Sequence, residues 1–314
     1  MRALVTGGTG FIGSHIAQAL CKRGDRVIVI DNLAKGALKN LDWKSPGDLL
    51  EFVEGDVGDE NLMRKLIAGC DFVFHQAAMP SVPVSVADPL KTNQQNLDNT
   101  LKLLLLAREA KLRRFVFASS SSIYGDSDAP AKHEKLPPAP MSPYALQKYA
   151  AERYCQLFHR LYGVPAVALR YFNVFGPRQS FDSPYSGVIA KFCTSILGGE
   201  PPTIHGDGLQ SRDFTYIDNV VQGNLKALEA AAAPGRIYNI ACGQSISLLQ
   251  LINELNRLTG QNLSPRFESR RVGDVYASLA DITEARRDLG YECFVNWQEG
   301  LKRTLDYYRE IKVG

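Results

Sequence analysis

The run Ala3-Leu4-Val5-Thr6-Gly7-Gly8-Thr9-Gly10-Phe11-Ile12-Gly13 constrains the rest of the chain more than any other stretch. A short apolar segment ends in closely spaced glycines, and Ser14-His15-Ile16-Ala17-Gln18-Ala19-Leu20 then reads as a helix. Strand, tight turn and helix in that order leave backbone N–H groups at a helix N-terminus, where the dipole favours phosphate. Two spacings overlap, Gly8-x-Gly10-x-x-Gly13 and Gly7-x-x-Gly10-x-x-Gly13. Glycine alone collects in turns for steric reasons. Here a second apolar run, Arg26-Val27-Ile28-Val29-Ile30, ends in Asp31. That acid stands about 20 residues past the turn, where a dinucleotide fold places its ribose-binding carboxylate.

Strands and helices alternate through the first half. After the loop 32–47 come a strand over 49–54, the turn Gly55-Asp56-Val57, a helix over 60–68 and the strand Phe72–His75. The small turn Gln76-Ala77-Ala78 follows, then a long helix over 93–111, a strand over 114–118 and Ser119-Ser120-Ser121-Ser122-Ile123-Tyr124-Gly125. Ser142-Pro143 is a capping serine followed by proline at the first helical position, which opens a helix to about Tyr162, and a strand over 166–170 closes this half. Such alternation predicts an α/β fold, a Rossmann-type doubly wound parallel sheet with ligands across the carboxyl ends of its strands. Every segment singled out so far falls at such an end. The second half is less regular, with helices expected over 187–197, 218–232, Leu248–Thr259, Thr283–Leu289 and 297–311. The expected division is a dinucleotide-binding domain over 1–172, to which about 213–242 returns, and a smaller mixed substrate domain over 173–314.

The 314 residues suffice for a sizeable core, and a net charge of +3 with basic residues in pairs rather than stripes argues against a nucleic-acid partner. One such pair, Arg286-Arg287, reads as a solvated helix face. Cys21, Cys70, Cys155, Cys193, Cys242 and Cys293 lie far apart with no C-x-x-C, which speaks against a metal site and for reduced thiols in a cytoplasmic setting. The first strand leaves no room for a signal peptide, and no apolar run reaches membrane-spanning length.

Tyr144-Ala145-Leu146-Gln147-Lys148 puts a phenol and an ammonium four residues apart on one helix face. A free phenol is a poor base at neutral pH, and a neighbouring cation lowers its pKa. A tyrosinate could then take the proton from a sugar hydroxyl while hydride leaves the same carbon. A serine hydroxyl beside it would shorten the proton path. His75, at a strand end, reads as structural. Asp31 followed by uncharged Asn32 favours NAD over NADP, because a 2′-phosphate would meet the carboxylate.

Taken together, the chain resembles the extended short-chain dehydrogenase/reductases, in the branch of nucleotide-sugar 4-epimerases. The resemblance runs over essentially the whole length. It rests on Thr6 to Gly13, Asp31-Asn32-Leu33, Gly55-Asp56-Val57, His75 to Ala78, Ser119 to Gly125, Tyr144 to Lys148, Arg170-Tyr171-Phe172-Asn173-Val174-Phe175-Gly176-Pro177-Arg178, Ser211-Arg212-Asp213-Phe214 and Arg270-Arg271-Val272-Gly273-Asp274. It implies that Tyr144, Lys148 and Ser120 are catalytic, with Ser121 and Ser122 beside them. Gly7, Gly10, Phe11, Ile12 and Gly13 would cradle the cofactor phosphates, Asp31, Asn32 and Gly36 the adenosine ribose, and Asp56 and Val57 the adenine. Ala77, Ala78 and Tyr171 would line the nicotinamide side, with Lys148 on its ribose.

On the substrate side the resemblance implies Asn173 at the sugar diphosphate, Arg212 and Arg271 at the pyrophosphate, and Asp274 at the uridine ribose. Val188, Phe192 and Thr203 would frame the nucleotide with Asn173, and Ser121 would touch the sugar. Dehydratases of the family carry an acidic pair after the catalytic serine or threonine, where this chain has Ser121 and Ser122. Epimerisation needs no such acid. Ser278 stands where enzymes restricted to unsubstituted hexoses carry a bulky tyrosine, which favours UDP-N-acetylglucosamine/UDP-N-acetylgalactosamine, with UDP-glucose/UDP-galactose as a further pair. Gln95 stands where an asparagine often contacts the cofactor, so no role is assigned to it. The family suggests a homodimer through the helices 93–111 and Pro143–Tyr162. A nucleotide-sugar decarboxylase or 4-ketoreductase is the competing reaction, and a non-catalytic NAD-sensing protein the competing class.

Overall fold

A computed structural model describes residues 1–181, 187–270 and 275–313. The first six strands are β1 (Arg2–Thr6), β2 (Arg26–Asp31), β3 (Leu50–Glu54), β4 (Phe72–His75), β5 (Arg114–Ser120) and β6 (Ala166–Tyr171). Except in β3 at the sheet edge, their apolar runs do not alternate because both faces are covered. In β1, Ala3 and Val5 pack with Ile16 and Leu20 on one side, while Leu4 packs with Met63 and Leu103 on the other. Successive side chains leave a strand on opposite faces, so one short run serves two cores.

Later strands are short: β7 (Val174–Phe175), β8 (Thr203–His205), β9 (Ser211–Asp213), β10 (Thr215–Tyr216), β11 (Ile237–Ile240), β12 (Ser245–Ser247) and β13 (Arg266–Glu268). One of them, β11, pairs in parallel with β6 and completes a seven-stranded parallel sheet of order β11-β6-β5-β4-β1-β2-β3. The order reverses between β1 and β4, the switch point at which such sheets open a ligand crevice beyond the carboxyl ends. The remaining short strands form three two-stranded pairs, β10 with β7, β12 with β9 and β13 with β8.

The helices are α1 (Phe11–Lys22), α2 (Glu60–Ile67), α3 (Val82–Ala87), α4 (Pro89–Asn93), α5 (Asn99–Glu109), α6 (Pro143–Tyr162), α7 (Val188–Leu197), α8 (Ile217–Glu229), α9 (Leu248–Thr259), α10 (Thr283–Leu289) and α11 (Trp297–Val313). Helix α1 packs on α8, and α5 on α2 and α6. Ser142 starts α6 by accepting the Ala145 N–H at 3.2 Å, Pro143 fills the first turn, and Gly163 in the left-handed region ends it. Among the described residues no helix is long and apolar enough to cross a membrane.

Two sequence expectations need correction. The single helix over 93–111 is instead α4, a π-turn over Gln94–Asp98, and α5. The wider turn brings Asn96 inward, where its side chain accepts the Met79 N–H at 2.7 Å and donates to Gln147 Oε1 at 2.8 Å. Nor are all six cysteines free. Cys242, just past β11, and Cys293, before α11, form a disulfide with their Cα atoms 5.1 Å apart, while Cys21, Cys70, Cys155 and Cys193 are free and buried. The reduced-thiol reading therefore fails for two of the six, because the fold joins segments that no local spacing connects.

Candidate active site

The glycine turn is shaped by close packing. Gly7 has φ +65°, and a Cβ there would lie 2.8 Å from the Ala77 backbone, while a Cβ on Gly13 would lie 2.2 Å from the Gly7 carbonyl oxygen. Both positions exclude any side chain. Gly10 caps α1 without a side-chain hydrogen bond, no acid occupies the first turn, and Thr9 Oγ1 is buried without a hydrogen-bond partner. A bare helix N-terminus with an orphaned hydroxyl beside it fits the phosphates of a dinucleotide. Phe11 and Ile12 form the first turn of that helix, both partly buried.

Asp31 ends β2 almost fully buried and clasps the turn: Oδ2 accepts the Thr9 N–H at 3.1 Å and Oδ1 the Leu33 N–H at 2.9 Å. A carboxylate has lone pairs left for a ribose after these two bonds. Gly36 approaches so closely that a Cβ would lie 2.0 Å from Thr9 Oγ1. Next to this clasp, Asn32 Nδ2 donates to Asp56 Oδ2 at 2.8 Å, with Val57 partly buried alongside in the chain. Turn, acid and second acid thus stand at the carboxyl ends of β1, β2 and β3.

The ends of β4 and β6 supply the other wall. Ala77 donates its N–H to Thr6 Oγ1 at 3.2 Å, and Ala78 follows it, partly buried. His75 is a buried neutral brace: Thr6 Oγ1 lies 2.8 Å from Nδ1, and Nε2 lies 2.9 Å from Thr100 Oγ1, which itself donates to the Asn96 carbonyl. Burial lowers its pKa to about 3. Tyr171 donates to Asn224 Oδ1 at 2.9 Å and accepts from Gln76 Nε2 at 3.2 Å, and burial raises its pKa.

At the end of β5, Ser120 Oγ and Ser122 Oγ are 2.9 Å apart, and Ser121 opens the short 3₁₀ turn Ser121–Tyr124. The Ser120 side chain interacts with the Tyr144 phenol and lowers its pKa, but burial outweighs this and the phenol ends above its ordinary value. Lys148 Nζ donates to the Ala118 carbonyl oxygen at 2.8 Å. Burial lowers the Lys148 pKa to about 8. Lys148 is thus turned to the strand backbone, and burial outweighs the effect of Ser120 at Tyr144.

The substrate-side residues are spread over the second half. Asn173, with φ +32°, donates from Nδ2 to the Asp213 carbonyl oxygen at 3.1 Å. Asp213 itself is fully buried, and its carboxylate accepts N–H groups from Cys242 and Gly243 at 2.9 Å and from Ala280 at 3.2 Å. Arg212 donates from Nη1 to the carbonyls of Ser211 and Tyr276. Ser278 is partly buried and its N–H donates to the Ser211 carbonyl at 3.1 Å. Val188 is partly buried at the start of α7, Thr203 is exposed on β8, and Phe192 is buried in the hydrophobic core beside α9. Arg271 and Asp274 lie outside the described residues. Arg287 pairs with Glu284 and Asp288 on an exposed face.

Sequence reasoning missed three residues here: Asn96, Asp213 and Glu152. The carboxylate of Glu152 is fully buried on α6 and accepts from Ser119 Oγ at 2.8 Å and from Arg170 at 2.6 and 2.9 Å. Its position four after Lys148 was a visible signal, since it continues the face of Tyr144 and Lys148. Asn96 and Asp213 carried no comparable pattern.

Residues 3–241 match the family model described as the NAD dependent epimerase/dehydratase family. The chain belongs to this family. A putative UDP-glucose 4-epimerase of Methanocaldococcus jannaschii is 36% identical over 308 residues, 98% of each chain. Among solved structures, the UDP-N-acetylglucosamine 4-epimerase of Methanobrevibacter ruminantium M1, in complex with UDP-N-acetylmuramic acid, superposes with a TM-score of 0.94 at 38% identity, covering 99% of this chain and 98% of that one. The UDP-glucose 4-epimerase of Thermotoga maritima, with UDP-glucose, does so with a TM-score of 0.94 at 38% identity, covering 99% and 100%. Family membership makes NAD the dinucleotide, and the bare helix N-terminus at Gly10 and the buried Asp31 carboxylate fit its phosphates and ribose.

Proposed function

We propose that the protein is a UDP-hexose 4-epimerase, acting on UDP-N-acetylglucosamine/UDP-N-acetylgalactosamine and also on UDP-glucose/UDP-galactose. The observation that carries this reading is the meeting of Tyr144, Ser120 and Lys148 at the end of β5, beside the crevice at the switch point. NAD, held by the Gly7–Gly13 turn and Asp31, would supply reversible hydride acceptance from C4 and, when oxidised, a positive charge near the phenol. Tyr144 takes the C4 hydroxyl proton, with Ser120 Oγ bridging sugar oxygen and phenol, and gives it back after the 4-keto sugar has turned over. Lys148 holds the strand backbone at Ala118 and reaches the cofactor ribose. Asn173, Arg212, Arg271 and Asp274 hold the UDP portion, with Val188, Phe192 and Thr203 around it.

Ser121 and Ser122 stand beside Ser120 without an acid in that turn, which disfavours expulsion of a neighbouring hydroxyl and favours simple epimerisation. The small side chain of Ser278 supports an N-acetylated substrate. Leu105, Leu146 and Leu161 are exposed at 44, 55 and 60% on α5 and α6, which supports a homodimer through these helices.

The test is incubation with UDP-N-acetylglucosamine, UDP-glucose and UDP-glucuronate separately, followed by NMR, with and without added NAD. C4 epimerisation of either of the first two is expected. Conversion of neither under any condition overturns the reading, and carbon dioxide release from UDP-glucuronate without epimerisation would favour a decarboxylase.

A further inference from the structure

Tyr144, Lys148 and Glu152 are spaced by four along α6, about 6 Å of helix rise per step, and so form one row along its face. Each meets a different one of three successive residues of β5. The Tyr144 phenol interacts with the Ser120 side chain, Lys148 Nζ donates to the Ala118 carbonyl at 2.8 Å, and Glu152 Oε2 accepts from Ser119 Oγ at 2.8 Å. Glu152 also receives Nε and Nη2 of Arg170 on β6 at 2.9 and 2.6 Å. Ser119 and Arg170 are partners in the β5–β6 register, and the next pair along is Ser120 with Tyr171. One carboxylate thus grips the residue just before each of two candidate site residues.

We propose that Glu152 is a positioning residue: by holding Ser119 and Arg170 together, it sets the direction in which Ser120 presents its hydroxyl to Tyr144. This rests on the hydride-transfer reading given above. The hydroxyl of Ser119 is drawn onto the α6 side of the sheet. Alternation turns Ser120, the last residue of β5, to the other face, so this commitment fixes the rotation of the strand end from which its hydroxyl meets Tyr144 in the first turn of α6. The ion pair is buried, with the Arg170 and Glu152 side chains 3% and 0% exposed. Such a pair adds little stability over an apolar pair of the same volume, and its best use is to select one arrangement. Arg170 is in turn stacked over the Tyr124 ring at 4.6 Å, and Tyr124 donates to Asn239 Oδ1 at 2.7 Å, so the grip is itself fixed on two sides.

Glu152→Gln leaves Arg170 without its counter-charge and is open to misfolding, so Ser119→Ala is the discriminating variant, with Ser119→Thr as the conservative rescue. Removing the Ser119 hydroxyl leaves the ion pair intact. In the holoenzyme, Ser119→Ala is expected to lower kcat about tenfold with KM for the UDP-sugar within about twofold, since misplacing one reacting group costs rate rather than binding. Ser119→Thr should restore most of kcat. A second readout needs no turnover: the ultraviolet phenolate titration of Tyr144, isolated as the difference from Tyr144→Phe, should move to higher pH in Ser119→Ala as the favourable interaction with Ser120 is lost. An unshifted Tyr144 titration in Ser119→Ala overturns the proposal, whether or not the parent turns over a UDP-sugar. An unchanged kcat in an active enzyme overturns it equally. A parent enzyme that epimerises nothing, with the titration still shifted, overturns the reaction reading and supports the positioning role.

Discussion

Lys148 Nζ lies 2.8 Å from the carbonyl oxygen of Ala118, two residues before Ser120 on the neighbouring strand. The bond gives the buried ammonium an acceptor, but burial still lowers its pKa from 10.5 to about 8. Below about pH 8 the site therefore contains a cation, and above it a neutral amine.

Turnover should consequently fall as pH rises through about 8, and Lys148→Arg, whose guanidinium keeps its charge, should lose that alkaline limb at a reduced maximal rate. Stability should move the other way. Between about 8 and 10.5 the unfolded chain binds more protons at this residue than the folded one, so this contribution to stability rises with pH across that window. Parallel pH–rate and thermal-unfolding profiles check both signs, and an alkaline limb retained in Lys148→Arg would remove Lys148 as its source.

Gly13→Ala places a methyl 2.2 Å from the Gly7 carbonyl oxygen and 2.8 Å from Gly8 Cα, all of it backbone that cannot step aside cheaply. The turn must open, and the amides at the start of α1 lose their shared aim. NAD affinity, measured by calorimetry on cofactor-stripped protein, is expected to fall by about a hundredfold, the scale of a 2–3 kcal/mol loss. An unchanged affinity would mean that the phosphates do not rest on this turn.

Ser278 is held by its backbone to Ser211, so a larger side chain there cannot be relieved by a simple shift of the strand. Ser278→Tyr should lower turnover of UDP-N-acetylglucosamine by about tenfold or more while UDP-glucose stays within about threefold. Competition kinetics with the two substrates in one reaction reads the ratio directly. Equal losses on both would place the acetamido group elsewhere.

The Cys242–Cys293 bridge closes a sequence separation of 51 residues. Removing a crosslink over such a loop costs about 2–4 kcal/mol. Cys293→Ser should therefore lower Tm by several degrees, and dithiothreitol should lower the parent's Tm without affecting the variant's. The Cys242 and Gly243 amides hold the Asp213 carboxylate, next to Arg212. KM for the UDP-sugar should therefore rise in the same variant. Identical melting of parent and variant under oxidising conditions would show that the bridge contributes nothing.

The first half of the molecule was legible because its strands are covered on both faces and so appear as unbroken apolar runs, as in Ala3-Leu4-Val5 and Val27-Ile28-Val29. Residues at the ends of such strands fall at one edge by topology alone, which is why Asp31, Asp56 and Ser120 could be assigned to the carboxyl ends of β2, β3 and β5. Asn96 could not, because a π-turn leaves no periodic mark to distinguish it from Gln95. Asp213 could not, because what gives it importance is three backbone N–H groups contributed by distant segments. The Tyr144–Lys148 spacing was read correctly as one helix face, but spacing does not show that the ammonium turns to a carbonyl of β5.

Strand β11 has a consequence for how the chain can be cut and rejoined. Ala168 and Phe172 donate their N–H groups to Arg236 and Ile240, so β6 becomes an interior strand only after residue 240 is in place. A fragment ending at 172 would expose that edge to any passing strand. The segments before and after residue 172 are therefore not exchangeable cassettes. A chimaera joined at 172 would carry off the seventh strand with the donor module, and during synthesis the sheet stays unsealed until most of the chain has left the ribosome.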